Sequence, residues 1–145
     1  GALIHMGLGN ANSLLGRILY GISKEVDFRI AVISGGDKDN AIPRESDCVI
    51  ALAADKVEAA KAIVTRITAE IQAELAFADK GVYTETGAAA VDTCLTAEAN
   101  ARALALQHTL PTGVVSMSRA IEGLTEASRN FASVKWVGDT LTYVV

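Results

Sequence analysis

The sequence predicts an α+β fold in which helices pack on one face of an antiparallel β-sheet. Apolar residues recur with helical spacing in two segments, and a third segment is framed by helix start and stop signals. Two pairs of short segments alternate between apolar and polar residues, as strands of hairpins do. Each half of the chain runs from a helix into a hairpin, which favours this two-layer arrangement. The halves agree in pattern and not in residue identity, so internal duplication is a hypothesis only.

The composition indicates one acidic domain, residues 1–145. Half of the residues are hydrophobic but only 5% are aromatic, so the core must be built from Ala, Val, Ile and Leu. The net charge of -4 and the pI near 5.1 argue against nucleic-acid partners, which normally face a basic patch. No apolar run approaches the roughly 18 to 20 residues of a membrane span, and no signal peptide is visible. We therefore expect a cytoplasmic protein without membrane partners.

The two cysteines, Cys48 and Cys94, lie far apart and have no CxxC spacing. This pattern supports neither a zinc site nor a disulfide framework. We expect two reduced and mostly buried thiols.

The first helix is predicted over "NSLLGRILYGI", which starts at Asn12. Asn10 or Asn12 supplies its N-cap, because a side-chain oxygen there can accept a first-turn amide. Gly16 and Gly21 weaken the helix but allow close backbone approach, so we expect it to lie tight against the sheet. The apolar positions with helical spacing are Leu15, Ile18, Leu19 and Ile22.

The first hairpin joins "VDFRIAVIS" to "SDCVIALA" through the turn-forming run "GGDKDN". The residues predicted to share one face of the first strand are Val26, Phe28, Ile30 and Val32. Those predicted to share one face of the second are Cys48, Ile50 and Leu52.

A long second helix follows, with Asp55 as its cap and Glu58 completing a capping box. After it, "VYTETGAAA" is predicted as a strand. "TAEANARALALQHTL" is predicted as a third helix, capped by Thr96 and ended by Pro111 and Gly113. The apolar stripe of the second helix is Val57, Ala60, Val64, Ile67, Ile71 and Leu75.

"SMSRAIEGLTEASRN" is polar and gives no clear prediction of helix or strand. The segments "FASVKWV" and "TLTYVV" then form the second predicted hairpin, around a two-residue Gly138-Asp139 turn.

The chain shows no complete set of catalytic residues. Its two histidines, His5 and His108, are not spaced as metal ligands. His108 lies near the predicted C-terminus of the third helix, where the helix dipole favours positive charge. His5 lies in a Gly-rich segment before the first helix, where functional loop residues often occur. No GxSxG motif or phosphate-binding loop is present.

"NAIPRE", residues 40–45, is the unusual feature of the first hairpin. Pro43 fixes its own backbone and biases Ile42 toward an extended conformation, so Asn40 and Arg44 are presented where the chain leaves the turn. Two interpretations remain open. The segment is either a solvated turn with Arg44 paired to Glu45 or Asp47, or a site in which an amide and a guanidinium bind a ligand.

Two stretches, "IHMGLGNANSLLGRIL" and "GGDKDNAIPRESDCVIALAADKV", closely resemble the lid, or dimerisation, domain of the aminoacyl-histidine (Xaa-His) dipeptidases. These enzymes belong to a co-catalytic metallopeptidase family that also holds carboxypeptidase G and succinyl-diaminopimelate desuccinylase. "LPTGVVSM" and "EASRNFASVKWVGDTLTYVV" are similar to later lid segments. The resemblance covers nearly the whole chain and is weaker from Phe77 to Thr109.

The resemblance implies a ferredoxin-like lid domain excised from a larger two-domain metallopeptidase. A separate catalytic domain would hold two metal ions, usually zinc, and a Glu general base. By this resemblance we expect no catalytic and no metal-binding residue in this chain. By the same resemblance, Asn40 matches a lid residue that contacts substrate. His5 matches a second family histidine, and Arg44 either orients the Asn40 turn or pairs with an acidic neighbour; all three are our candidate substrate-binding residues.

The resemblance thus implies the lid of a cytoplasmic dipeptidase that cleaves Xaa-His dipeptides, forms a homodimer and is inactive without its catalytic domain. A free-standing regulatory or ligand-binding ferredoxin-like domain is the alternative. A pure dimerisation module, in which sheet edges pair across a two-fold axis, is a third hypothesis.

Overall fold

The computed structural model describes residues 3–145 and confirms the predicted α+β class. In this described part of the chain, three α-helices accompany six strands in two antiparallel sheets. The helices are α1 (Ala11–Ser23), α2 (Val57–Glu74) and α3 (Ala97–Thr109), and short 3-10 helices cover Ile4–Met6 and Ala54–Lys56. The strands are β1 (Phe28–Gly35), β2 (Ser46–Leu52), β3 (Gly113–Met117), β4 (Thr125–Arg129), β5 (Ser133–Val137) and β6 (Thr140–Val144).

The main sheet has the strand order β2-β1-β5-β6, so the two predicted hairpins lie side by side. They meet where Gly35 at the end of β1 pairs with Val134 in β5. The second hairpin turns at Gly138-Asp139 as predicted, with Val134 opposite Tyr143 and Trp136 opposite Leu141.

Strand β1 contains a β-bulge that overturns the predicted plain alternation. Ile30 pairs with Ile50 but Val32 pairs with Val49, so Ala31 is an extra residue. The bulge moves the buried face from Ile30 to Ile33, both fully buried, and leaves Val32 43% exposed. The prediction that Val32 shares a face with Phe28 and Ile30 was therefore wrong.

The first half of β1 is bonded on its open side by α3 and not by a strand. The Asn100 side chain accepts a hydrogen bond from the Ile30 amide at 2.7 Å and donates to the Phe28 carbonyl at 3.0 Å. The Leu95 amide donates to the Ile30 carbonyl at 2.8 Å. Because these groups satisfy the strand's backbone, β5 needs to pair with β1 only at its end.

Helix α1 begins as predicted, with Asn10 as N-cap accepting a hydrogen bond from the Ser13 amide at 3.1 Å. Its glycines face the other helices and not the sheet, contrary to our expectation. A Cβ at Gly16 would overlap the main-chain carbonyl of Gln107 in α3, and one at Gly21 would overlap Ile67 in α2. Close approach is therefore a feature of the helical layer.

Helix α2 buries much of the predicted apolar stripe but begins differently. The chain enters it through the 3-10 helix Ala54–Lys56, so Lys56 occupies the N-cap position and no side chain caps the helix. Asp55 is therefore not the cap. Glu58 pairs with Lys61 at 3.1 Å and completes no capping box.

One further prediction fails between α2 and β5, and the structure of one segment left open by the sequence is now defined. Residues 82–90 form no strand; the start of this segment is bonded to side chains of α2 and not to a neighbouring strand, since Gln72 donates to the Val82 carbonyl and the hydroxyls of Thr68 and Thr84 share a hydrogen bond. The ambiguous segment after α3 contributes to both strands of the β3–β4 hairpin. Helix α3 is capped by Thr96, whose hydroxyl accepts a hydrogen bond from the Ala99 amide, as predicted.

The core is aliphatic, as the composition predicts, with Phe131 as its largest fully buried side chain. Cys48 is partly buried, whereas Cys94 is exposed, so only one thiol fits the expectation of burial. Within residues 3–145, no helix combines the length and apolar character needed to cross a membrane. The main core residues are Ile18, Leu19, Ile22, Val26, Phe28, Ile30, Ile33, Ala60, Ile63, Ile67, Ile71, Ala103, Phe131 and Val134.

Candidate functional site

The loop between β1 and β2 carries Asn40 on a closed turn. The Ala41 amide donates to the Lys38 carbonyl at 3.3 Å, which places Asp39 and Asn40 at the two central positions. Asn40 and its neighbour Asp39 are both exposed. The loop leaves β1 through Gly36, whose φ of +74° and contact with the Ala132 carbonyl admit no side chain without strain.

The far side of this loop is anchored to the start of α1. Pro43 is buried, and its carbonyl accepts a hydrogen bond from the Ala11 amide at 3.0 Å. First-turn amides have no partner within their own helix. The contact therefore gives the Ala11 amide an acceptor and at the same time fixes the loop to α1.

A second anchor comes from the segment before β5. The Asn130 side chain donates a hydrogen bond to the Ala41 carbonyl at 2.7 Å and accepts one from Asn10 at 3.2 Å. The Asn10 amide also reaches the Phe131 carbonyl at 3.0 Å and the Thr112 hydroxyl at 3.1 Å. Asn10 therefore caps α1 and also bonds Asn130, the residue that anchors the loop.

Further polar side chains are buried in α1, α3 and β5. The Asn12 amide donates to the carbonyls of Gly35 and Phe131, and the Gln107 amide donates to the Asn12 carbonyl at 2.7 Å. Buried polar groups require partners to offset their desolvation. Among the described residues, the atoms Asn12 Oδ1, Gln107 Oε1 and Ser133 Oγ have no such partner.

The other two candidate residues are also exposed. Arg44 lies four positions after Asn40 in the same loop, and no carboxylate of residues 3–145 lies within 4 Å of its guanidinium. The pairing of Arg44 with Glu45 or Asp47 that the sequence left open is thus not formed. His5 lies in the 3-10 helix Ile4–Met6, which packs on β3 and leads toward the Asn10 cap.

The donor set of residues 3–145 does not fit a metal centre. In the part of the chain that the structure describes, no three His, Cys, Asp or Glu side chains are grouped so that they could hold an ion. His108 lies in the last turn of α3, as predicted, and its ring stacks on Tyr20 with centroids 3.9 Å apart. No step of a metal-assisted reaction can be derived from these residues.

The sequence of this chain matches a known protein family. The family described as a peptidase dimerisation domain, of the M20 group, matches residues 1–79, which is more than half of the chain. The chain belongs to this family. The matched region includes the Asn40 loop, α1, β1, β2 and α2.

Two relatives extend the match beyond the dimerisation-domain model. A cytosol non-specific dipeptidase of Escherichia coli (strain K12) is 38% identical over 135 residues, which cover 92% of this chain and 28% of the relative. The crystal structure of an aminoacylhistidine dipeptidase from Vibrio alginolyticus superimposes with a TM-score of 0.90 at 33% identity, covering 97% of this chain and 29% of that one. The chain thus spans less than a third of either relative's length. The predicted resemblance to the dimerisation domain of dipeptidases is confirmed.

Sequence reasoning found the Asn40 loop but missed the residues that support it. Asn10 was recognised only as a possible helix cap, and Asn130 fell in the segment that gave no clear prediction. No local sequence pattern around Asn130 indicates that it bonds the Ala41 carbonyl, because Ala41 lies 89 positions away in the sequence.

Proposed function

We propose that this peptidase dimerisation domain is the lid of a longer two-domain metallodipeptidase that cleaves Xaa-His dipeptides. The observation that carries the proposal is the superposition on the Vibrio alginolyticus enzyme over 97% of the chain. The similarity to the Escherichia coli dipeptidase supports the same class of reaction. One relative is described as a non-specific dipeptidase and the other as an aminoacylhistidine dipeptidase. The test below therefore measures the preference for a C-terminal histidine directly.

Asn40 is proposed to contact the dipeptide. It is exposed on a loop in which the Ala41 carbonyl is bonded to Asn130 and the Pro43 carbonyl to the start of α1, so its position is held by the folded domain. A side-chain amide can donate to a substrate carbonyl and accept from a substrate amide. An anchored loop residue with these groups suits substrate binding better than a mobile one would.

Arg44 and His5 are proposed as additional substrate contacts. Arg44 presents an exposed guanidinium without a carboxylate partner among the described residues, and this group suits the C-terminal carboxylate of a dipeptide. His5 is exposed and adjoins the segment that leads to the loop's anchor on α1.

In this proposal the two zinc, or other divalent, ions belong to the enzyme's own catalytic domain, because residues 3–145 do not fit a metal centre. This chain binds substrate and closes over it, and it supplies a surface for a homodimer, as the family description suggests. Because the Escherichia coli relative is described as cytosolic, we propose a cytoplasmic location.

The test compares the 145-residue chain with the complete protein that contains it. Both are assayed with Gly-His and Gly-Leu, with added zinc and after chelation. We expect metal-dependent hydrolysis by the complete protein, faster for Gly-His, and none by the chain alone. Equal rates for both dipeptides would support a dipeptidase but contradict the histidine preference. Hydrolysis by the pure chain would contradict the assignment of the metals to another domain.

A further inference from the structure

We propose that Asn130 is a positioning residue for the substrate contact of Asn40, acting through the hydrogen bond between its side-chain amide and the Ala41 carbonyl. The inference rests on the proposed function for Asn40 and adds the residue that holds it in place. Asn130 precedes β5 and lies far from the loop in sequence.

The bond acts on the residue directly after Asn40. Ala41 is tied at its amide to the Lys38 carbonyl and at its carbonyl to Asn130, so the peptide groups on both its sides are fixed. At 2.7 Å the Asn130 contact is much shorter than the 3.3 Å bond that closes the turn. Loss of the shorter bond would release the Ala41 carbonyl and weaken the hold on the turn that carries Asn40.

Asn130 is itself oriented by Asn10. The Asn130 carbonyl oxygen accepts the Asn10 amide, which leaves the Asn130 amide facing Ala41. Since Asn10 is buried and its own oxygen caps α1, its position is set by the helix. The order of contacts therefore runs from α1 through Asn10 and Asn130 to the turn that carries Asn40.

A charged isostere breaks this contact selectively. Asn130→Asp keeps the oxygen that accepts from Asn10 but places a second oxygen, instead of a donor, against the Ala41 carbonyl. Asn100→Asp is the matched control, because Asn100 likewise accepts one hydrogen bond, from the Ile30 main-chain amide, and donates one to a main-chain carbonyl, but at the junction of β1 and α3. Both variants lose one donor from a similar partly buried amide, so general destabilisation affects both.

The first measurement is amide hydrogen exchange by NMR on the 145-residue chain. We expect Asn130→Asp to accelerate exchange at Ala41 by about tenfold relative to wild type, as loss of one hydrogen bond implies. Asn100→Asp should leave Ala41 near the wild-type rate, because the donor that it loses bonds the Phe28 carbonyl and not the loop. Equal protection of Ala41 in wild type and Asn130→Asp would overturn the inference, whatever the enzymatic activity.

The second measurement is a double-mutant cycle in the complete dipeptidase, comparing Asn40→Ala and Asn130→Asp singly and together. We expect Asn130→Asp to lower kcat/KM by about 10- to 100-fold, the cost of a misplaced contact, and to have no further effect when Asn40 is already Ala. The same loss in the Asn40→Ala background would show that Asn130 acts generally and would overturn the inference. Full activity of Asn40→Ala itself would instead refute the proposed role of Asn40, so the two failures are distinguishable.

Discussion

Gly16 of α1 lies directly against the main-chain carbonyl of Gln107 in α3, with no room for a Cβ between the two helices. The side chain of Gln107 returns to α1 and donates to the Asn12 carbonyl at 2.7 Å. The helices that support the candidate site are therefore joined at the level of their backbones. Their packing depends on a residue with no side chain at position 16.

We predict that Gly16→Ala destabilises the domain by about 1 to 3 kcal/mol, the usual cost of overpacking. The sign is informative, because an alanine in an unhindered helix would stabilise it. Gly87→Ala is the control, since nothing lies within 4 Å of its added Cβ. Urea unfolding measures both, and a Gly16→Ala protein as stable as Gly87→Ala would contradict the close contact.

We predict that the free energy of unfolding falls as the pH rises above about 9. Burial raises the pKa of Cys48 to about 12, and burial together with the nearby Cys48 raises the pKa of Tyr143 to about 12. The ordinary values are 9.0 and 10.0, so between these and 12 the unfolded chain releases protons that the folded chain retains. This contribution is fully present below pH 9 and is lost toward pH 12.

Urea unfolding from pH 7 to pH 11 measures that dependence. The double variant Cys48→Ala Tyr143→Phe should show a flatter alkaline decline, at some cost in stability at pH 7 from lost packing and from the lost hydrogen bond of the Tyr143 hydroxyl to the Ala103 carbonyl. An unchanged slope would mean that neither group titrates differently in the folded chain.

The two thiols should react at different rates with a thiol reagent at pH 8. Cys94 is exposed, whereas burial keeps the pKa of Cys48 at about 12 and suppresses its thiolate. We expect one fast equivalent, which Cys94→Ser removes, and a second that reacts only on addition of urea. A fast equivalent that survives in Cys94→Ser would place Cys48 in solvent.

The Glu74 carboxylate should titrate at low pH because of Arg17. Two hydrogen bonds of 2.7 Å from the Arg17 guanidinium lower the pKa of Glu74, and the same contacts raise the pKa of Arg17. The stabilisation is present above the ordinary carboxylate pKa and is lost as the pH falls through the lowered value. Carbon NMR titration should show the Glu74 pKa rising in Arg17→Ala, with the difference shrinking in high salt; an unchanged pKa would exclude the ion pair.

Much of the fold could be predicted because its signals are local. The Asn10 and Thr96 caps, the helical spacing in α1 and α2, and the two hairpins each depend on neighbouring residues. The errors involve contacts between distant segments. The bulge at Ala31, the bonding of β1 by Asn100 and the absence of a strand over residues 82–90 depend on what packs against those segments.

The candidate site divides in the same way. Pro43 and its neighbours indicate a special loop from sequence alone, and the resemblance adds a role for Asn40. No local pattern could connect that loop to Asn130, because the hydrogen bond joins residues from opposite halves of the chain. The role of Asn130 in anchoring the loop is therefore seen only in the three-dimensional structure.

The central claim is that this domain contributes Asn40 to the substrate site of a dipeptidase. The most direct measurement is kcat/KM for Gly-His in the complete protein, comparing wild type, Asn40→Ala and the control Asp39→Ala, which changes the exposed neighbour in the same turn. We predict a loss of about 10- to 100-fold for Asn40→Ala, as the loss of a substrate hydrogen bond implies, and little change for Asp39→Ala. Equal activity of Asn40→Ala and wild type would contradict the claim.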